Sequence, residues 1–394
     1  MEIWRGSALL REPRIFPTGV IEHLYIHIPF CPKVCPYCGF YKEPMTSSAR
    51  EPFVDALITE LRGQNARLDL RPRTIFFGGG TPTALSVGQL DRLFTAMHRE
   101  LDLHELREWT MEMNPATVSA EKAALLRDAG VTRVSMGVQS WDPEILHVLG
   151  RVHDVRQAEE SYAILRDAGI PQVNLDFIFA VPGQTLEQWE QTLRKTVGMQ
   201  PDHVSAYNLT YEEDTEFFRR FQRGEFRQEP DDDAEFFELT RALLGEAGFE
   251  AYEISNFAPP GQECRHNLAY WFGHDYLGLG PSAFSTLGIA RRRNIANTTE
   301  YTRRLREDAD GLESVVDFRE EVDEATRRFE KIAFGLRTKF GIDPGWVRDQ
   351  PEVVAELRRT GLLMTRPHER ANLVLTPKGR LLADSVAEMF LQAD

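Results

Sequence analysis

A chain of 394 residues with 42% hydrophobic content can fold as two or three domains around real cores. Its net charge of −15 argues against bulk electrostatic capture of a phosphate backbone, so nucleic acid is not an expected partner. No apolar run reaches the roughly 18 residues of a membrane span, and the lead over residues 1–23 lacks a signal-like apolar core, so a cytoplasmic protein is expected.

In chain order, the first β-rich run is "LYIHIPF" (24–30), and a cysteine-rich loop follows it at once. Cys31, Cys35 and Cys38 stand in a Cys-x3-Cys-x2-Cys spacing, and Phe40 comes next but one after the last. Only Cys264 remains elsewhere, which does not make a disulfide framework. Thiolates suit zinc or an iron–sulfur cluster. Structural zinc takes four ligands. His27 could complete such a set, although it falls inside the expected strand. Three cysteines on one loop can instead hold three irons of a [4Fe–4S] cluster and leave the fourth iron open.

Five further β-rich runs follow: "TIFFGGG" (74–80), "EWTMEMN" (108–114), "RVSMGVQS" (133–140), "QVNLDFIFA" (172–180) and "HVSAYNLT" (203–210). Amphipathic stretches such as "SVGQLDRLFTAMHREL" separate them. Near-continuous apolar strands alternating with helices predict a parallel sheet covered on its faces. "LLRDAGVTRVSMGV" and "ILRDAGIPQVNLDF" align at a spacing of 39 residues, with Gly130 and Gly169 placed as left-handed helix stops and Gly248 in a third copy. Repeated βα units, closed or partly closed as a barrel, are expected to carry chemistry at the C-terminal ends of the strands. Those ends bear the cysteines, "GGGTP", Glu112 with Asn114, and Gln139, while Asp176 lies within the fifth run.

The basic run "ARRRN" (290–294) is read as a solvated loop. Beyond residue 317 the pattern changes to helices, an alternating "NLVLTPKG" and a last helix, which predicts a winged-helix-like module. Residues 320–394 hold 12 Lys/Arg against 13 Asp/Glu, so packing or a lid suits that module better than DNA. Four segments result: a lead (1–23), a barrel core (24–230), a barrel extension (231–316) and the C-terminal module (317–394).

The cysteine spacing resembles the signature of the radical S-adenosylmethionine (SAM) family. The resemblance implies an α/β fold, a partial (β/α)6 TIM-like barrel with an extended β region. It also implies that Cys31, Cys35 and Cys38 carry a [4Fe–4S] cluster whose open iron chelates SAM. Gly78, Gly79, Gly80 and Thr81 match the family's methionine-binding segment, and Tyr25, Glu112, Gln139, Arg151 and Asp176 match positions near SAM. Without the match, each is an ordinary polar or turn residue. "EMNP", "SMGVQSW", "LGRVH" and "DFIFAVPGQT" extend the resemblance to the branch that holds oxygen-independent coproporphyrinogen III dehydrogenase and the haem chaperones.

Within that branch the dehydrogenase carries a fourth cysteine where this chain has Phe40, and a longer N-terminal extension. "CRHNLAYW" matches the His-Asn-x-x-Tyr-Trp motif linked with haem in the chaperones, with His266 as the haem-contact residue and Tyr270 and Trp271 beside it. Cys264 is read as a buried bystander. Phe284 and Gly39 depart from the histidine and aspartate of relatives. The resemblance therefore implies a haem chaperone with SAM, a [4Fe–4S] cluster and haem as cofactors and with acceptor haemoproteins as partners. The dehydrogenase is the alternative, and the sequence names neither an acceptor nor an electron donor.

Overall fold

Six strands carry the molecule: β1 (Ile21–Ile28), β2 (Leu70–Gly79), β3 (Glu108–Met113), β4 (Arg133–Gln139), β5 (Gln172–Phe179) and β6 (His203–Asn208). The computed structural model describes residues 19–44, 47–226, 230–308, 311–366 and 372–391, so most of the expected lead and the last three residues lie outside the described residues. Neighbouring strands pair in parallel in sequence order from β1 to β6. Leu277–Leu279 adds a parallel strand beside β1, and Asn256–Ala258 adds an antiparallel one beside β6. The sheet ends on short strands that do not pair with each other among the described residues, which makes the barrel partial.

The strands largely alternate, with exceptions such as Phe76–Phe77 and Ile178–Phe179, and here the expectation of near-continuous apolar strands is corrected. Leu24, Ile26 and Ile28, then Ile75 and Phe77, then Trp109, Met111 and Met113 pack into one core with the helices. Val134, Met136, Val138, Val173, Leu175, Phe177, Val204 and Ala206 continue that face. The residues between them are mostly polar: Tyr25 and His27, Thr110 and Glu112, Ser135, Asn174 and Asp176, Ser205 and Tyr207. The helices of the repeated units pack on one face of this sheet; the other curves around a polar lumen and meets the helix Arg265–Trp271 at Thr74 and Phe76. Tyr25 on β1 and Tyr207 on β6 both feel the carboxylate of Glu112 on β3, as a curved sheet requires.

The helices form where amphipathic runs begin at good caps. Val87–Glu100 starts from a Ser86–Gln89 capping box, and Leu186–Gly198 from a Thr185–Gln188 one. Gly130, Gly169 and Gly248 stop three helices at φ of 91°, 80° and 86°, as the repeat predicts. No described helix is long and apolar enough to cross a membrane.

The run Ala290–Asn294 is a strand, not a loop, in an antiparallel sheet with Phe284–Leu287 and Val316–Glu321. Carboxylates from outside the strand meet its charge: Arg291 pairs with Glu330 at 2.7 Å and Arg293 with Asp317 at 3.0 Å. That neutralisation lets an arginine-rich segment pair and pack.

Helices Glu324–Leu336 and Pro351–Arg359 and the hairpin Leu363–Thr365/Leu373–Leu375 gather around a separate core of Ile332, Leu336, Ile342, Val347, Leu357, Leu363 and Leu373. Ile342 is fully buried there and exchanges two backbone hydrogen bonds of 2.9 Å with Leu373. Ile342→Ala leaves those bonds intact and removes the packing. It should cost about 2–5 kcal/mol in urea unfolding; a loss near zero would show that this cluster does not hold the module together.

Candidate functional site

The site starts where β1 runs out. Phe30–Cys31 pairs with Glu43–Pro44, so the intervening cysteine loop is closed at its base. β2 then clamps that base. Gly80 N–H donates to Ile28 O and Thr81 N–H to Phe30 O, both at 2.8 Å. A Cβ on Gly80 would lie 2.8 Å from the Pro29 carbonyl, and one on Gly79, at φ 105°, would lie 2.5 Å from the His27 ring. These two glycines exist because chain meets chain. Gly78 is different: its missing Cβ faces Glu112 Oε2 at 3.0 Å, in the lumen.

Cys31, Cys35 and Cys38 are all partly exposed and free. Cys31 Sγ lies 3.6 Å from Thr81 Oγ1, and Arg151 Nη1 approaches Cys35 Sγ at 3.5 Å. Burial pushes the Cys31 and Cys38 thiols up. Among the described residues no group of three or more His, Cys, Asp and Glu side chains converges on one ion position. A cluster that takes one thiolate per iron does not need its ligands to converge on one ion position.

Arg151 arrives from the turn after Pro143–Val148 and spans the lumen rim. Its Nη2 donates to Gly137 O at 2.9 Å and its Nη1 also reaches Tyr37 Oη at 3.4 Å, while Nε is buried without a hydrogen-bond partner. Gln139 ends β4 at φ 70°, next to a register shift against β5, and its amide lies where a Cβ on Gly137 would stand. Such backbone in a non-glycine residue persists where the surroundings hold it.

Two carboxylates face each other across the lumen. Asp176 accepts from Ser135 Oγ at 2.9 Å and from Asn174 Nδ2 at 2.7 Å, and burial still pushes it up. Burial, and then the Asp176 charge, push Glu112 up to about 8. Tyr25 Oη and His27 Nδ1 lie 3.0 Å apart, and burial lowers His27 to about 4, so its ring is neutral. The structure thus brings Tyr25, Gly78, Glu112, Gln139, Arg151 and Asp176 to one lumen below the cysteine loop. Sequence reasoning weighed His27 only as a zinc ligand and missed Tyr37, Ser135, Asn174 and Tyr207, the last three of which a period-two count along the strands would have found.

His266 lies elsewhere. Its helix, Arg265–Trp271, is anchored by Glu108 at the start of β3, whose carboxylate accepts the backbone N–H groups of Arg265 and His266 at 2.9 and 3.0 Å. Arg133 pairs with Glu108 at 3.5 Å with both side chains almost wholly buried. Cys264 Sγ reaches the same carboxylate at 3.3 Å, and burial pushes its thiol up strongly, which suits an inert bystander. His266 Nδ1 bonds Thr74 Oγ1 at 2.8 Å and its ring lies against Phe76, which in turn stacks on Tyr25. A cavity of about 300 Å3 is lined by Tyr270, His274, Tyr276, Phe284, Arg291 and Phe334, among others.

A Radical SAM superfamily model matches residues 25–196. The chain is 34% identical over 380 residues to the haem chaperone HemW of Lactococcus lactis, covering 94% of this chain and 97% of that one. It is 33% identical over 385 residues to the haem chaperone HemW of Bacillus subtilis, covering 94% and 99%. The solved structure of coproporphyrinogen III oxidase HemN from Escherichia coli, a radical SAM enzyme, superposes with a TM-score of 0.80 at 23% identity, covering 94% of this chain and 90% of that one. At that identity the likeness is one of fold.

The pH dependence of the site follows from Glu112. Its folded pKa lies above the unfolded carboxylate value of about 4.3, so the folded chain binds the extra proton and stability falls as pH rises from there to about 8. Glu112→Gln cannot ionise. Its unfolding midpoint relative to the unsubstituted protein should rise steadily between pH 5 and pH 8, and a constant difference across that range would show that Glu112 is not desolvated.

Proposed function

The chain belongs to the family of the haem chaperone HemW within the radical SAM superfamily, and on that premise we propose that it carries haem to acceptor haemoproteins in the cytoplasm while housing a [4Fe–4S] cluster and SAM. Cys31, Cys35 and Cys38 give one thiolate to each of three irons. The donor set fits: three partly exposed thiols share one loop, and an arginine stands beside the middle one. When bound, the cluster supplies an open iron to chelate SAM and an electron to cleave its sulfonium.

The chain's own residues do the rest. Arg151 offers its buried, unpartnered Nε and its guanidinium charge to a carboxylate at the rim. Gly78 keeps the β2 backbone bare beside Glu112. Asp176, oriented by Ser135 and Asn174, accepts from ribose hydroxyls, and Gln139 closes over Gly137. Glu112 holds its proton while the lumen lacks a cation. A cationic ligand group beside it would favour the charged form against the burial and the Asp176 charge that raise its pKa, and so draw that proton off.

The observation that carries the haem reading is the aromatic cavity whose wall includes Tyr270 of the His-Asn-x-x-Tyr-Trp helix. Concave, largely apolar sites with a few polar groups suit a flat macrocycle. Phe284, where relatives carry histidine, contributes an aromatic wall instead of an imidazole. Gly39 leaves room for Glu212, whose Cβ stands 2.9 Å from where its own would be.

Anaerobic reconstitution followed by haem titration tests this. The protein should hold about four irons and show saturable Soret binding, and haem should move from it to an added apo-haemoprotein. Cys35→Ser should lose most of the iron and leave the haem isotherm unchanged. Absence of saturable haem binding by the unsubstituted protein would sink the carrier reading; loss of both ligands together in Cys35→Ser would show one site rather than two.

A further inference from the structure

Directly after the His-Asn-x-x-Tyr-Trp helix comes a glycine stop. Gly273, at φ 69°, donates to Tyr270 O at 2.9 Å and His274 N–H donates to Ala269 O at 3.0 Å, the two crossed bonds of a Schellman motif. The stop fixes the backbone of His274 and delivers its exposed side chain to the wall of the 300 Å3 cavity. His266 is not among the residues that line it.

Behind His274 runs a chain of hydrogen bonds. His274 Nδ1 lies 3.3 Å from His23 Nε2, His23 Nδ1 lies 2.9 Å from Thr74 Oγ1, and Thr74 Oγ1 lies 2.8 Å from His266 Nδ1. Burial lowers His23 to about 4 and His266 to about 3, so both rings are neutral near pH 7. Both bonds of His23 are made when its Nδ1–H donates to Thr74 Oγ1 and its bare Nε2 accepts from His274 Nδ1–H, which leaves Nε2 of His274 bare. Thr74, with one O–H and two lone pairs, can then donate to His266 Nδ1 or accept from it.

We propose that His274, through Nε2, is the axial ligand for haem iron in this cavity, and that His23 and Thr74 are positioning residues that hold it in the ligating tautomer. The assignment rests on the haem-carrier reading above. Metal-binding histidines commonly donate their second ring N–H to a partner that fixes ring and tautomer, and His23 is so placed. Tyr270, Tyr276, Phe284 and Phe334 offer the ring walls, and Arg291 and Arg327 bring two guanidinium groups beside one lining carboxylate, Glu330. Asp275 stands 3.5 Å from Arg327 and Glu320 stands 3.4 Å from Arg291, so neither cation is held by Glu330 alone.

Full-length protein is titrated with haem anaerobically, with His274→Gly, His266→Ala and His23→Leu in parallel. His274→Gly should weaken binding by about tenfold or more and lose the imidazole-ligated Soret band. Free imidazole should restore that band, which separates loss of a ligand from loss of the fold. His23→Leu should keep the band and shift the ferrous iron–histidine stretch in resonance Raman to lower frequency. A His274→Gly spectrum like the original, or a spectrum lost only in His266→Ala, overturns the assignment while leaving haem carriage in place. No saturable binding by the unsubstituted protein removes haem carriage, and this ligation with it.

Discussion

The strands of this barrel each have to satisfy two solvents. One face packs on helices and takes Leu24, Ile26, Ile75, Phe77, Trp109 and their successors; the other borders a lumen that holds Tyr25, Glu112, Ser135, Asn174 and Asp176. A slip of one residue in any strand would exchange the two sets and bury carboxylates under the helices. Apolar burial against the helices therefore fixes the register, and the register places the chemistry. The cost is visible in Glu112 and Asp176, whose desolvation leaves them poised for a cationic or hydroxyl-bearing ligand.

A second constraint acts at the top of β1 and β2. Gly79 and Gly80 are filled by His27 and by the Pro29–Phe30 backbone, so the cysteine loop leaves the barrel from a fixed base. The loop itself stays partly exposed. That division suits a site whose thiols must remain reachable by iron while their spacing is held by the strand beneath them.

Much of this was legible in the sequence. The six strands and the glycine stops at 130, 169 and 248 appear close to where periodicity and turn chemistry put them. The polar lumen was not recognised, because runs such as "RVSMGVQ" and "QVNLDFIF" look apolar when read as blocks and alternate only when read residue by residue. "ARRRN" was taken for a loop because local charge opposes strand formation; its carboxylate partners Asp317 and Glu330 lie 24 and 39 residues away from the arginines they meet, beyond any local window. His274 was passed over for a related reason. The motif drew notice to its first histidine, whereas Gly273 and the one-residue step beyond it bring the other imidazole to the cavity wall.

The arrangement has two ends. The cysteine loop and the raised carboxylates occupy the C-terminal ends of the strands, while the helix carrying His266 is anchored to Glu108 and Thr74, near the start of β3 and below the C-terminal end of β2. Between them lie Tyr25, Phe76 and His266, stacked ring on ring. Glu108 belongs to the strand that also carries Glu112, so one short element touches both ends: its first carboxylate caps the motif helix and its second faces the lumen. Ligand charge at Glu112 has a rigid, four-residue path to the helix that presents the cavity. The least forgiving contact along that strand is the buried Glu108–Arg133 pair, because each charge is desolvated and has the other as its counter-ion.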